Sequence, residues 1–225
     1  MAITIAASPV VLDGELLARA RTVALPTIGH YLEEGFVDPG IRRLVGSGLI
    51  VGRAVTVRTT PTDSTNLHHV VGHIESGDVV VIDTGGDHRH APLGEVVVEA
   101  LVAGGAAGVV VDGVCTDIEE LTALGLPIYA RGTSPLTTKL EASGLGSIYA
   151  PISCGGQTVR SGDVVLADAN GVLIVSADVL ARVLPVALED DAEEPELIDQ
   201  VRSGGRLGEL TGASDVVRKH GVPVS

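Results

Sequence analysis

The feature that most constrains this chain is a recurring run of β-branched residues closed at its ends by glycine or aspartate. Such runs occur at Leu49–Arg58, Asp78–Asp83, Gly108–Asp112, Leu126–Ala130, Val164–Asp168 and Val172–Val175. They read as mostly buried strands, because apolar side chains fill both alternate faces. Between and around them, Asp13–Val23, Asp63–Ile74, Gly94–Gly104, Asp117–Leu124 and Ala177–Leu188 carry apolar residues at helical spacing. The two periodicities together predict an α/β fold. The 11 prolines are scattered rather than gathered in a linker and no repeat period is present, so residues 1–225 are expected to form one domain.

Composition narrows the function. With 45% apolar but only 2% aromatic residues, the core must be built from Val, Leu, Ile and Ala, the only rings being Phe36, Tyr31, Tyr129 and Tyr149. The chain carries 29 acidic and 15 basic residues, a net charge of −14. No Lys/Arg run exceeds two residues, so there is no basic footprint for a phosphate backbone and no aromatic platform for stacked bases, and no direct nucleic-acid ligand is expected. No segment approaches the roughly 18 apolar residues of a membrane span, and Met1-Ala2-Ile3-Thr4-Ile5 does not open a signal peptide. The expected location is the cytoplasm. Cys115 and Cys154 have no CxxC or ligand spacing and read as reduced thiols. The acidic run Glu189–Glu194 is expected to lead into a separate short helix ending at Ser203-Gly204-Gly205, with residues 189–225 as an arm that contacts a neighbouring subunit.

Chemistry concentrates where strands meet helices. The run Asp78–Asp83 passes through Thr84-Gly85-Gly86-Asp87 to a helix beginning at Gly94-Glu95, whose free N–H groups suit a carboxylate or phosphate. The next strand ends at Thr116-Asp117. Asp117 followed by Glu120 has the spacing of a capping box, which explains it without function. The functional alternative is that Glu95 and Asp117 face each other across a cleft and hold a hard divalent cation through oxygens and waters. His69 and His73, four apart, and His88 and His90, around Arg89, offer a weaker metal reading, since no third ligand is dictated.

These residues fall in segments that together resemble the RraA-like family, which includes class II 4-hydroxy-4-methyl-2-oxoglutarate and 4-carboxy-4-hydroxy-2-oxoadipate aldolases and the regulator of RNase E activity. The segments are Ile50–Val57, Gly77–Asp83, Leu93-Gly94-Glu95, Asp112–Asp117, Ala130–Pro135 and Gly162–Val172, and the likeness runs from about Thr27 to Gly204. The resemblance implies a β/β/α swivelling-domain-like sandwich and a trimeric ring, or a dimer of trimers, with sites between subunits. It implies a magnesium or manganese ion held by Asp117 and by waters, some oriented by Glu95. It also implies that the backbone amides of Val96 and Val97 receive the carboxylate of a 2-oxo acid, with Gly94, Glu95 and Thr116 in the same substrate site, and that Glu194 of a neighbouring copy orients water. The activity implied is retro-aldol cleavage of a 4-hydroxy-2-oxo acid, or decarboxylation of oxaloacetate, through a pyruvate enolate.

The chain departs from that pattern at two places. Thr116 stands where the aldolases carry arginine, and losing a guanidinium from an enolate oxygen removes about 3–4 kcal/mol of stabilisation by analogy with oxyanion-hole deletions. Arg89 or Arg131 would have to compensate. Ser64 replaces an asparagine in Pro61-Thr62-Asp63-Ser64, where Asp63 and His68 match substrate-lining positions, as Lys139 does more loosely. The competing expectation is a catalytically silent binding or regulatory protein.

Overall fold

The computed structural model describes residues 2–221. In chain order the first elements are β1 (Thr4–Ile5), α1 (Gly14–Ala20), α2 (Leu25–Ile28), β2 (Arg42–Val45), β3 (Ile50–Arg58), α3 (Thr65–Val71) and β4 (Asp78–Asp83). They continue with α4 (Glu95–Ala103), β5 (Gly108–Asp112), β6 (Val114–Cys115), α5 (Ile118–Leu124), β7 (Ile128–Ala130), β8 (Gly132–Thr133) and β9 (Ser147–Ile148). The last are β10 (Ile152–Cys154), β11 (Gln157–Val159), β12 (Val164–Ala167), β13 (Val172–Val175), α6 (Ala177–Arg202), α7 (Leu207–Leu210) and α8 (Ala213–His220).

A nine-stranded sheet organises these elements. β3, β4, β5 and β7 run parallel, and β3 is its hub: one edge bonds β4, the other bonds β12 through its first half and β9 through its end. Period-two alternation divides the valines cleanly. Val80, Ile82, Val109 and Val111 face a layer of α3, α4 and α5 with Leu67, Val98, Leu101 and Leu121. Val79, Val81 and Val110 face the opposite way, onto Ile152, Cys154 and Val159 of the β10–β11 hairpin and onto β12 and β13. A third cluster packs α1, α2 and α6 on Leu166 and Leu173. Helix, sheet and second β layer form the expected β/β/α sandwich in one mixed α/β domain. Among the described residues no helix is long and apolar enough to cross a membrane.

Two expectations need correction. The acidic run does not separate two helices, because α6 continues unbroken from Ala177 to Arg202 through Pro185 and Pro195. Glutamate, alanine and leucine are strong helix formers, and the acidic turn is docked: Asp191 accepts from Ala24 N and Thr27 Oγ1 at 3.3 and 2.9 Å, and Asp190 meets His30 Nδ1 at 3.0 Å. Asp117 does not cap its own helix either. It has φ 55° and ψ 42°, and its side chain makes no bond to the α5 amides. The last part of the C-terminal arm, residues 222–225, lies outside the described residues.

Candidate active-site cleft

A short parallel pairing brings the strand–helix junctions together. Leu93 bridges Cys115, and Thr116 N donates to Leu93 O at 2.9 Å, which sets Thr116-Asp117 beside Gly94-Glu95. On the other side residues 136–139 form two further bridges. Ala91 N donates to Leu136 O and Thr138 N to Ala91 O, while Lys139 N donates to Thr62 O and Ser64 N to Lys139 O. Between these walls lies a cleft of about 260 Å³ lined by Ser64, His68, Gly94, Glu95, Val96, Val97, Thr116, Asp117 and the stretch from Thr137 to Leu140.

Asp117 is turned into this cleft. Its Oδ2 accepts from Glu95 N at 2.9 Å and its Oδ1 from Thr116 Oγ1 at 3.1 Å. The left-handed backbone is tolerable for aspartate but costs about 1–3 kcal/mol in an L-residue, so the turn of chain around it must hold it there. Gly94 makes room. Its φ of −142° is ordinary, but a Cβ would lie 2.6 Å from Asp117 Oδ2 and 2.9 Å from Thr116 Cγ2. Beyond Glu95 N, the next two amides of α4, Val96 and Val97, lack an acceptor in the helix and find none elsewhere among the described residues. The helix dipole adds partial positive charge at that point.

The structure thus brings Gly94, Glu95, Val96, Val97, Thr116, Asp117 and His68 into one cavity. Asp63 lies outside it. It is buried, Oδ1 accepts from Thr65 N at 2.9 Å, Thr65 Oγ1 at 2.5 Å and Glu141 N at 3.2 Å, and Oδ2 accepts from Ser143 N at 2.8 Å. Burial opposes its ionisation, but the bonds from Thr65 and Ser143 outweigh that and hold the carboxyl well below the usual carboxylate range. Asp63 therefore ties the start of α3 to the loop carrying Lys139. Glu194 also lies apart within the chain. It lines a groove of about 590 Å³ with Asp190, Asp191, Glu193, Glu196 and His30, and those carboxylates make that larger groove a poor receiver for an organic anion.

Arg131 does not reach the cleft. Its Nε bonds Asp112 at 2.6 Å and its Nη1 bonds Asp38 at 3.0 Å. Arg89 is not among the lining residues. Cys115 and Cys154 are free and buried, and burial pushes the Cys115 thiol up to about 11. The histidine metal reading has no support, since among the described residues no three His, Cys, Asp or Glu side chains gather at ligand distance. His90 instead pairs with Asp87 at 2.6 Å, and His73 Nδ1 meets His69 O at 2.8 Å. Reading the sequence missed Thr137, Thr138 and Leu140, which reach the cleft only because a loop crosses back over Ala91.

The chain is thus a β/β/α protein whose cleft sets a carboxylate and two amides without helix acceptors at one helix start. A sequence family described as RraA-like, Aldolase/RraA, matches residues 13–174, and this chain belongs to it. A Halalkalibacterium halodurans protein named "Putative 4-hydroxy-4-methyl-2-oxoglutarate aldolase" is 36% identical over 193 residues, covering 83% of this chain and 90% of that protein. Streptomyces coelicolor RraAS2, described as an unusual member of the RNase ES inhibitor RraA protein family, superposes with a TM-score of 0.72 at 28% identity, covering 84% of this chain and 97% of that one. An uncharacterized Pseudomonas syringae protein shares the fold with a TM-score of 0.76 at 22% identity, covering 94% of this chain and all of that one.

Proposed function

We propose that this protein is a divalent-metal-dependent lyase that cleaves 4-hydroxy-2-oxo acids to pyruvate and a carbonyl fragment in the cytoplasm. The observation that carries this reading is the Asp117 carboxylate, held out of a capping role and turned into the cleft at the start of α4. The relatives named as aldolases support the reaction class.

The donor set suits a hard cation. One carboxylate, Asp117, with Glu95 beside it leaves most coordination to water and substrate oxygens, as Mg²⁺ or Mn²⁺ accepts and a structural Zn²⁺ does not. When bound, such an ion supplies Lewis acidity at the 2-oxo oxygen, where negative charge develops as the C3–C4 bond breaks. The chain's own residues do the rest. Val96 and Val97 N–H receive the 1-carboxylate. Thr116 Oγ1 donates to Asp117 Oδ1 and fixes that carboxylate. Glu95 orients the water that removes the 4-hydroxyl proton, and exposed Leu140 and Val96 border the mouth. The same charge development permits slow decarboxylation of oxaloacetate. A trimer, or a dimer of trimers, would bring Glu194 of a neighbouring copy to the cleft.

The test is exchange of the pyruvate C3 protons with D₂O in the presence of Mg²⁺ or Mn²⁺, followed by NMR. Exchange abolished by EDTA and lowered about 100-fold or more by Asp117→Ala is expected. Absence of exchange in the parent chain would overturn the lyase reading. Thr116 and the lack of any arginine in the cleft favour a second reading, a binding protein without chemistry. Exchange in Thr116→Arg alone would mean a scaffold that has left the reaction.

A further inference from the structure

One wall of the cleft comes from a stretch of chain that contributes nothing to the core. Between β8 and β9, residues 134–146 contain no buried residue and no strand, only isolated bridges at Thr137 and Lys139. Its three leucines, Leu136, Leu140 and Leu145, are all exposed. Apolar burial does not hold such a stretch in place, so its hydrogen bonds must.

Backbone bonds to Ala91 and Thr62 seat residues 136–139. Past Lys139 the main anchor is Asp63. Its buried carboxylate accepts from Glu141 N on Oδ1 at 3.2 Å and from Ser143 N on Oδ2 at 2.8 Å, while Thr65 N and Oγ1 fasten Oδ1 to the start of α3. Ala142, between the two donors, is left-handed with φ 50°. That conformation is unfavourable for alanine, but it turns the amides on either side of it toward one anion, as in a backbone nest. Charge-assisted bonds to a buried carboxylate are of the stronger kind and offset the strain. Burial opposes ionisation of Asp63, but the bonds from Thr65 and Ser143 keep it charged well below the usual carboxylate range, so the anchor persists at neutral pH.

We infer that residues 136–143 form a strap along the cleft and that Asp63, outside the cavity, is its latch and a positioning residue for substrate binding, this last role resting on the lyase reading. Three lining groups depend on the latch. Ser64 follows Asp63 in sequence, Thr138 Oγ1 lies 2.8 Å from Ser64 Oγ, and Lys139 is the only lysine or arginine that lines the cavity. Lys139 bonds through its N to Thr62 O and through its O to Ser64 N, the two residues that flank Asp63. Releasing the strap therefore shifts the Lys139 ammonium relative to Glu95 and Asp117. The effect falls on affinity, because Glu95, Asp117 and the α4 amides stay where they are.

The test is amide hydrogen exchange followed residue by residue by NMR, beside the kinetics of pyruvate C3 exchange with Mg²⁺. In the parent chain the amides of Glu141 and Ser143 are expected to be protected about tenfold or more above those of Leu140, Ala142 and Gly144, which have no acceptor among the described residues. Asp63→Asn is expected to erase that alternation while β4 and β5 stay protected, and to raise KM for pyruvate about five- to tenfold with kcat changed less than about twofold. No alternation in the parent chain would overturn the latch, whether or not the variant folds. Erased alternation with an unchanged KM, or with the loss in kcat instead, would overturn the positioning role alone. A parent chain that exchanges no pyruvate would remove the lyase reading and the positioning role with it, while the amides still decide the latch.

Discussion

At the residue scale, Asp117 joins an unfavourable backbone to a useful carboxylate, and the two can be separated by substitution. Glycine occupies the left-handed region without penalty, whereas alanine there keeps the strain and loses the bonds to Glu95 N and Thr116. Asp117→Gly is therefore expected to be more stable than Asp117→Ala by about 1 kcal/mol in urea unfolding, with both inactive in pyruvate exchange. Equal stabilities would show that the left-handed backbone carries no strain. This conformation was not legible in the sequence, because an Asp before an apolar helical run with Glu120 three residues on has the same signature as an ordinary cap. Asp63 gives a second test at this scale. Its folded pKa lies below its unfolded one, so its contribution is complete above about pH 4 and is lost as pH falls below that. Asp63→Asn is expected to lose about 1–3 kcal/mol at pH 7, and the gap to the parent chain to narrow between pH 4 and pH 2. A gap of constant size over that range would show that the carboxylate charge is not what holds the loop.

At the element scale, the sequence was most legible where burial on both faces forced uninterrupted valines. Asp78–Asp83 and Gly108–Asp112 are strands over the very residues expected, and Gly94 and Gly104 bound α4 as anticipated. Legibility failed for short or edge elements. β2 contains Arg42 and Arg43 and lies at the sheet margin, and β10 and β11 are three residues each. Their pairing depends on partners remote in sequence, which local pattern does not encode. α6 failed for the opposite reason, since two prolines and an acidic run suggest an ending that docking against α2 overrides. Pro185 and Pro195 each remove a donor from the interior of a 26-residue helix and are exposed. Replacing Pro195 with Ala is expected to restore a bond to Asp191 O and raise stability by about 1–3 kcal/mol, read as a higher midpoint in thermal unfolding. A lower midpoint would mean that the helix needs its proline to seat Asp190 and Asp191 against α2.

At the scale of the whole molecule, packing is unevenly distributed along the chain. The deepest residues of α6 are Leu180, Leu184 and Ala187, and neither α7 nor α8 contains a buried residue. The domain core is therefore complete before Leu188. The C-terminal segment beyond that point carries apolar side chains with no cover in the single chain, among them Leu207 at 57%, Val216 at 60% and Val217 at 67% exposure. The cleft rim has the same character, with Val96 at 76% and Leu140 at 61%. Two uncovered apolar surfaces on one acidic chain are what a ring of copies would bury against each other, since apolar patches of this kind in a folded protein mark contact sites. In the proposed ring, the arm and the cleft would be linked through assembly rather than through the fold of one subunit. A chain truncated after Gly204 is expected to unfold in a single transition within a few degrees of the parent, because no core side chain is removed. Light scattering after gel filtration is expected to report a smaller particle, with pyruvate exchange falling in step. A truncated chain that keeps both its mass and its exchange rate would confine the site to a single subunit and leave α7 and α8 without a part in it.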